Sequence, residues 1–335
     1  MKKKFLAACL MLLGILAMTI NVQAADDNIG FNIRMIKAEN QINDSSFFDL
    51  RVSSKQEQTI YVQVNNTSTE KGNYSINVNQ AYTNKQGFID YSDSKEAEKV
   101  AAPIKVNDIL KYDKKITLEP NTSKNVPIKI KMPEKKFDGE VLAGIQVSKD
   151  QEKSEKAQIS NQYGYILGLR LTETDNAVQR KLELKKVKPS HEFGKPAVIA
   201  SLKNPTMDAY GHLKYKIDIV DKSTKKSVLK KDYDSDMQIA PNSTYNLAIE
   251  MNEKELNSGD YTLNLTVTDA KENKWQFKKD FEITNTDIKD INDATISQDN
   301  QSTNYLWIIM ILILILLIIA ALIWIILLKK KKKEE

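Results

Sequence analysis

Ile60-Tyr61-Val62-Gln63-Val64-Asn65-Asn66 decides how this chain folds. Side chains alternate faces along an extended strand, so Ile60, Val62 and Val64 share one side and Tyr61, Gln63 and Asn65 the other. An apolar face opposite a polar one at period two reads as a half-buried strand; a helix would repeat its apolar positions at three and four. The same period continues along the chain. Tyr74, Ile76 and Val78 carry it, then Val126, Ile128 and Ile130. Val198, Ala200 and Leu202 follow, with Leu213, Tyr215, Ile217 and Ile219 after them. Tyr261, Leu263, Leu265 and Val267 come next, and Trp275, Phe277, Phe281 and Ile283 close the series. Asn, Gly, Pro and Asp separate the runs, which is the spacing of β-sandwiches. Asp138-Gly139, between Phe137 and Val141, reads as a hairpin turn.

A weak internal repeat divides the pattern in two. Leu118-Glu119-Pro120-Asn121-Thr122 leads into the run at Val126, and Ile239-Ala240-Pro241-Asn242-Ser243 leads into one at Tyr245. Each half also has a strand ending in an asparagine turn, at Asn66 and at Asn204. The expected fold is all-β: two immunoglobulin-like β-sandwich domains in tandem, at 29–150 and 158–285, plus one C-terminal transmembrane helix. The polar stretch 151–157 marks the boundary, and 286–304 reads as a polar stalk.

The ends of the chain have their own chemistry. Lys2-Lys3-Lys4, an apolar run and Val22-Gln23-Ala24 form a secretory signal peptide pattern over 1–24. Residues 305–328 carry no charge and are long enough, as a helix, to cross ~30 Å of hydrocarbon. Lysines 329–333 follow, so the positive-inside rule makes 329–335 a cytoplasmic tail and places the rest outside, single-pass in the plasma membrane.

Composition excludes several functions. The chain has 49 Lys+Arg and 44 Asp+Glu, but eight lysines and two glutamates sit in the two ends, so residues 25–304 are nearly neutral. Nucleic acid is therefore not an expected partner, since phosphate binding needs a cationic surface. The one cysteine, Cys9, lies inside the signal, and the chain has two histidines, His191 and His212. No thiol nucleophile or zinc–thiolate site can be assembled after Cys9, and no His-based triad, cofactor, metal or catalytic residue is expected. Asp232, Asp234 and Asp236 imitate a calcium loop, but Met237 stands where that loop needs glycine. The chain reads as a non-enzyme.

One loop stands out. The first half is longer than the second by a segment running Ala81-Tyr82-Thr83-Asn84-Lys85-Gln86-Gly87-Phe88-Ile89-Asp90-Tyr91-Ser92-Asp93. Sugars offer apolar C–H faces among many hydroxyls, so rings interleaved with amides and carboxylates suit them. Tyr82, Asn84, Phe88, Asp90 and Tyr91 are the candidate glycan contacts. The alternative is that Tyr82 and Tyr91 are strand residues capping the sandwich.

Taken together, these motifs resemble the WxL-interacting protein family of Gram-positive bacteria. The resemblance is carried by Phe48-Asp49-Leu50-Arg51-Val52, Ala81-Tyr82-Thr83-Asn84 and Gly87-Phe88-Ile89-Asp90-Tyr91-Ser92. Tyr163-Gly164-Tyr165-Ile166-Leu167-Gly168-Leu169 and Met237-Gln238-Ile239-Ala240-Pro241-Asn242-Ser243 extend it into the second half. It implies a peptidoglycan-binding first domain and a second domain for host ligands, such as extracellular-matrix proteins. It also implies a cell-surface complex with secreted WxL-domain proteins, without catalysis. The competing reading is an extracellular chaperone or structural spacer that never touches glycan.

Overall fold

The computed structural model describes residues 30–92, 95–150, 163–251 and 257–299, with Met310, Ile311, Ile313, Leu314 and Ile318 beyond them. The first sandwich has a four-stranded sheet in the order β1 (Phe31–Ile36), β3 (Glu57–Asn66), β9 (Ser123–Lys131), β7 (Leu110–Tyr112). Facing it is a five-stranded sheet: β2 (Phe48–Arg51), β11 (Gly164–Thr172), β10 (Glu140–Lys149), β4 (Gly72–Gln80), β8 (Lys115–Leu118). The second sandwich sets β12 (Glu183–Glu192), β13 (Lys195–Lys203) and β16 (Thr244–Glu250) against β15 (Ser227–Ile239), β14 (Tyr210–Asp221), β17 (Gly259–Thr268) and β18 (Lys274–Ile283). A separate hairpin pairs β5 (Tyr82–Thr83) with β6 (Ile89–Asp90). Two single-turn helices, α1 (Lys95–Glu98) and α2 (Val106–Ile109), follow it, and α3 (Asn285–Asp299) follows β18.

Each core is built from the alternating residues. Ile60, Val62 and Val64 meet Tyr74, Ile76, Val126, Ile128, Ile145 and Val147 in the first. Val198, Leu202, Tyr215, Ile219, Leu247 and Leu263 fill the second. The repeat legible in the sequence is a structural device. Asn66 and Asn204 are buried at the ends of β3 and β13. Asn66 Nδ2 donates to the carbonyls of Glu70 (2.8 Å) and Glu119 (3.1 Å), and Asn204 Nδ2 to those of Asp208 (2.8 Å) and Ala240 (3.1 Å). Asn121 and Asn242 take equivalent left-handed conformations in the turns so held (φ 54° and 56°).

Four expectations change. The strand at Gly164–Thr172 does not open the second domain. It pairs antiparallel with β10 and parallel with β2, so Leu167, Leu169 and Leu171 belong to the first core. Asp138-Gly139 is not a hairpin, because β9 and β10 lie in opposite sheets. The stalk begins as α3, whose Ile288 and Ile291 pack on the second core; 300–304 lie outside the described residues. Lastly, among the described residues no helix is long and apolar enough to cross a membrane. The transmembrane helix at 305–328 and the single-pass plasma-membrane placement are therefore not supported. A span needs about 20 continuous apolar helical residues, and of 305–328 the structure describes only Met310, Ile311, Ile313, Leu314 and Ile318. The signal peptide at 1–24, the boundary stretch 151–157 and the tail 329–335 lie outside the described residues.

Strand β11 yields a test. A fragment ending at Asp150 lacks the strand between β2 and β10 and exposes the core facing Leu169 and Leu171. It is expected to lack a cooperative thermal transition, and extension to Thr174 is expected to restore one. Equal melting of the two fragments would show that β11 is dispensable.

Candidate binding site at the junction of the sandwiches

The loop singled out in the sequence is wedged between the two sandwiches. Thr83 N–H donates to Ser243 Oγ (2.9 Å), and Ala240 N–H donates to Thr83 Oγ1 (3.0 Å). Gln238 N–H reaches the Gly87 carbonyl at 2.6 Å. Ala81, Leu142 and Ala240 form a small buried cluster there, with Ile89, Tyr91 and Ala209 packed on it.

The five expected glycan contacts divide accordingly. Tyr82 is buried beside Val100 and Ala102, with its hydroxyl 2.8 Å from Ser92 Oγ. It also edges a depression of about 260 Å³ shared with Thr83, Glu96, Lys99 and Asn246. Asn84 Oδ1 accepts from the N–H groups of Gln86 and Phe88, which closes the hairpin. Asp90 accepts from Ser92 N–H and Asn84 Nδ2; burial works to raise its pKa, but these donors hold it below the ordinary value. Tyr91 lies on strand β10 over Gly144, where an added Cβ would come within 2.3 Å of Tyr91 Cβ. Burial, with a smaller contribution from the Glu140 charge, pushes its phenol up. Phe88 is the one ring of the three that is exposed, at 40%.

Beside the wedge, two arginines each bridge two carboxylates. Arg170 on β11 donates to Glu140 (2.6 Å) and Asp49 (3.1 Å). Burial opposes the Arg170 charge, but the two carboxylates overcome it and raise the pKa. Arg180 donates to Asp208 (2.7 Å) and Asp269 (2.5 Å) with its guanidinium 4.7 Å over the Tyr210 ring. Glu140 also joins the sandwiches, accepting from Ala209 N–H at 2.9 Å while its own N–H donates to the Met207 carbonyl at 2.6 Å. Gly139 makes that approach possible. Its φ is +91°, and a Cβ there would fall 2.1 Å from the Met207 carbonyl oxygen.

These elements enclose a cleft of about 380 Å³ on the outer face of the β2–β11–β10 sheet. Arg51, Glu140, Arg170, Thr172, Asn176 and Lys271 line it. The cleft residues were missed in the sequence, although a signal was there. Asp49 and Arg51 alternate with Phe48, Leu50 and Val52, and Arg170 stands alone between Leu169 and Leu171. Charges at period two inside an apolar run mark a strand whose second face is functional or paired.

Comparison with known proteins settles the family. Residues 31–149 match the model of the WxL Interacting Protein peptidoglycan binding domain, and 154–293 that of the WxL Interacting Protein host binding domain. The chain belongs to the WxL-interacting protein family. Wall-binding and host-binding domains in one chain imply a cell-surface location. The host-binding match takes in β11, which is built into the first sandwich. A search of curated proteins finds no match. Among solved structures, the chain is similar to the class 5 fimbriae chaperone CfaA at 14% identity (76% of this chain, 99% of that one, TM-score 0.28). The E. coli chaperone DraB is similar at 14% (69% and 93%, 0.27) and the Pseudomonas aeruginosa CupB2 chaperone at 14% (70% and 97%, 0.26). Likeness at this level says nothing about ligands.

Two measurements probe the junction. Thr83→Val leaves the buried Ala240 N–H without its acceptor and is expected to lower unfolding free energy by about 1–3 kcal/mol. Ser243→Ala should cost a similar amount, and no change in either denaturant melt would mean the sandwiches are not locked here. The second measurement is pH dependence. Burial works to raise the pKa of Asp269, but Arg180 and Asn273 donate to it and hold it below 3.8. A depressed carboxylate stabilises the fold above its unfolded pKa and loses that contribution as pH falls through the folded value. Melting temperature should therefore drop below about pH 4, and Arg180→Gln should lack this part of the acid sensitivity.

Proposed function

We propose that the chain is a cell-surface adaptor. The first sandwich holds wall peptidoglycan, and the second presents a surface to a protein, either a host ligand or a secreted WxL-domain protein. The observation that carries this reading is the union of two matched binding domains by a junction of hydrogen bonds and the Lys85–Glu192 ion pair rather than a free linker. A ligand held by one sandwich is thereby held at a set orientation to the other. The second sandwich offers a depression of about 310 Å³ lined by Lys186, Lys188, Phe193 and Ile199, with Phe193 51% exposed at the β12–β13 turn. An exposed aromatic such as Phe193 is of the residue class that protein interfaces favour.

The test is sedimentation of the purified full chain with isolated sacculi. Retention by sacculi, with no release of soluble sugar fragments on prolonged incubation, is the expected outcome. Absence of retention would remove the wall-binding half of the reading, and release of fragments would make the chain an enzyme.

A further inference from the structure

Two polar atoms in the junction cleft have no hydrogen-bond partner among the described residues: Arg51 Nη1 and Thr172 Oγ1. Both are buried, and both residues line the cleft. They are register partners in the parallel β2–β11 pair, and Glu140 is opposite Thr172 on β10, so Glu140, Thr172 and Arg51 form one row across the sheet. Thr172 as a whole is 5% exposed. A buried donor or hydroxyl left unpaired costs stability, and a native protein keeps such a group where something else satisfies it.

The surroundings select the chemistry of that something. Arg170 is already held by Glu140 and Asp49, and Arg180 by Asp208 and Asp269. Arg51 gives Nη2 to Asp175, whose side chain is 91% exposed. Asp138 lies alongside, accepting from Asn176 Nδ2 at 3.0 Å. Three cations (Arg51, Arg170, Lys271) and three carboxylates (Glu140, Asp175, Asp208) line the cleft, and both arginines already face a carboxylate, so an incoming anion meets no net positive charge. A neutral ligand rich in carbonyl and hydroxyl oxygens would accept from Arg51 Nη1 and exchange a hydrogen bond with Thr172 Oγ1 without needing one. Ile42, 44% exposed, and Val178 supply apolar wall for C–H faces.

We infer that the cleft is a saccharide site that takes a neutral N-acetylated sugar of the glycan strand, with Arg51 and Thr172 as its hydrogen-bonding floor. The inference rests on the peptidoglycan reading above and narrows it to the glycan strand over the anionic stem peptide.

The experiment is calorimetric titration of the full chain with chitotetraose, a neutral oligomer of N-acetylglucosamine, alongside a free stem pentapeptide and the sacculus assay. Chitotetraose is expected to bind. Thr172→Val, which keeps the β-branched shape and deletes the orphan hydroxyl, should weaken it about two- to tenfold. Its melting temperature should stay equal or rise, because an unpaired buried group is removed. A residue of purely structural role would lose stability instead. Arg51→Gln should weaken binding about tenfold or more. Chitotetraose binding that neither variant alters would overturn the cleft assignment and leave peptidoglycan binding intact. Binding of the pentapeptide but not chitotetraose would overturn the choice of ligand. If the wild-type chain fails to sediment with sacculi, the adaptor reading falls, and the chitotetraose titration still judges the cleft alone.

Discussion

A buried asparagine amide at the end of one strand is the constraint on which the two-domain arrangement depends. Asn204 cannot leave its amide unpaired in the core, and it satisfies it on the carbonyls of Asp208 and Ala240. That pins the 240–243 turn, with Asn242 in the left-handed conformation. Only a turn so held offers Ala240 N–H and Ser243 Oγ together, and Thr83 bonds to both. The equivalent clamp at Asn66 closes the first sandwich, where, among the described residues, the turn bonds only within its own domain. One local device therefore serves as a plain closure in one domain and as the seat of the junction in the other.

The ion pairs at the junction are better understood as fixing geometry than as adding stability. Desolvating Asp269, whose side chain is fully buried, opposes much of what Arg180 returns. The same trade holds for Arg170 between Glu140 and Asp49. What such networks provide is a single arrangement, since any displacement leaves a buried charge unpaired. Glu140 has the largest share in this, because its carboxylate and its backbone N–H both reach across to the second sandwich. The cleft is a consequence: the outer face of the β2–β11–β10 sheet meets the loops at Asp208 and Lys271 and leaves polar space between them.

Much of the fold was legible in the residues. The alternation at Ile60, Val62 and Val64 and its repeats specify strands, because a one-residue slip would turn every apolar side chain to solvent. The Pro-Asn turns and the two terminal asparagines marked the duplication. The sequence also carried the chemistry of the wedge loop, rings among amides, without its address. Tyr82 and Tyr91 look alike in the sequence whether they stack on a sugar or cover Val100 and Gly144, since burial by a distant segment leaves no local trace.

What the sequence determined by itself was thus what depends on near neighbours: the period, the Pro-Asn turns and the all-β class. Pairing was decided only in three dimensions. Strand β11 follows a polar stretch that reads as a boundary, yet it returns to lie between β2 and β10, because the first core needs Leu167, Leu169 and Leu171 and β10 needs a partner on its open edge. The expected membrane span rested on a local pattern, an uncharged apolar run followed by lysines, and the described residues contain no helix that meets it. The cleft is likewise a tertiary product. Arg51 and Thr172 are more than a hundred residues apart in the chain, and a parallel register that no local pattern encodes places them side by side.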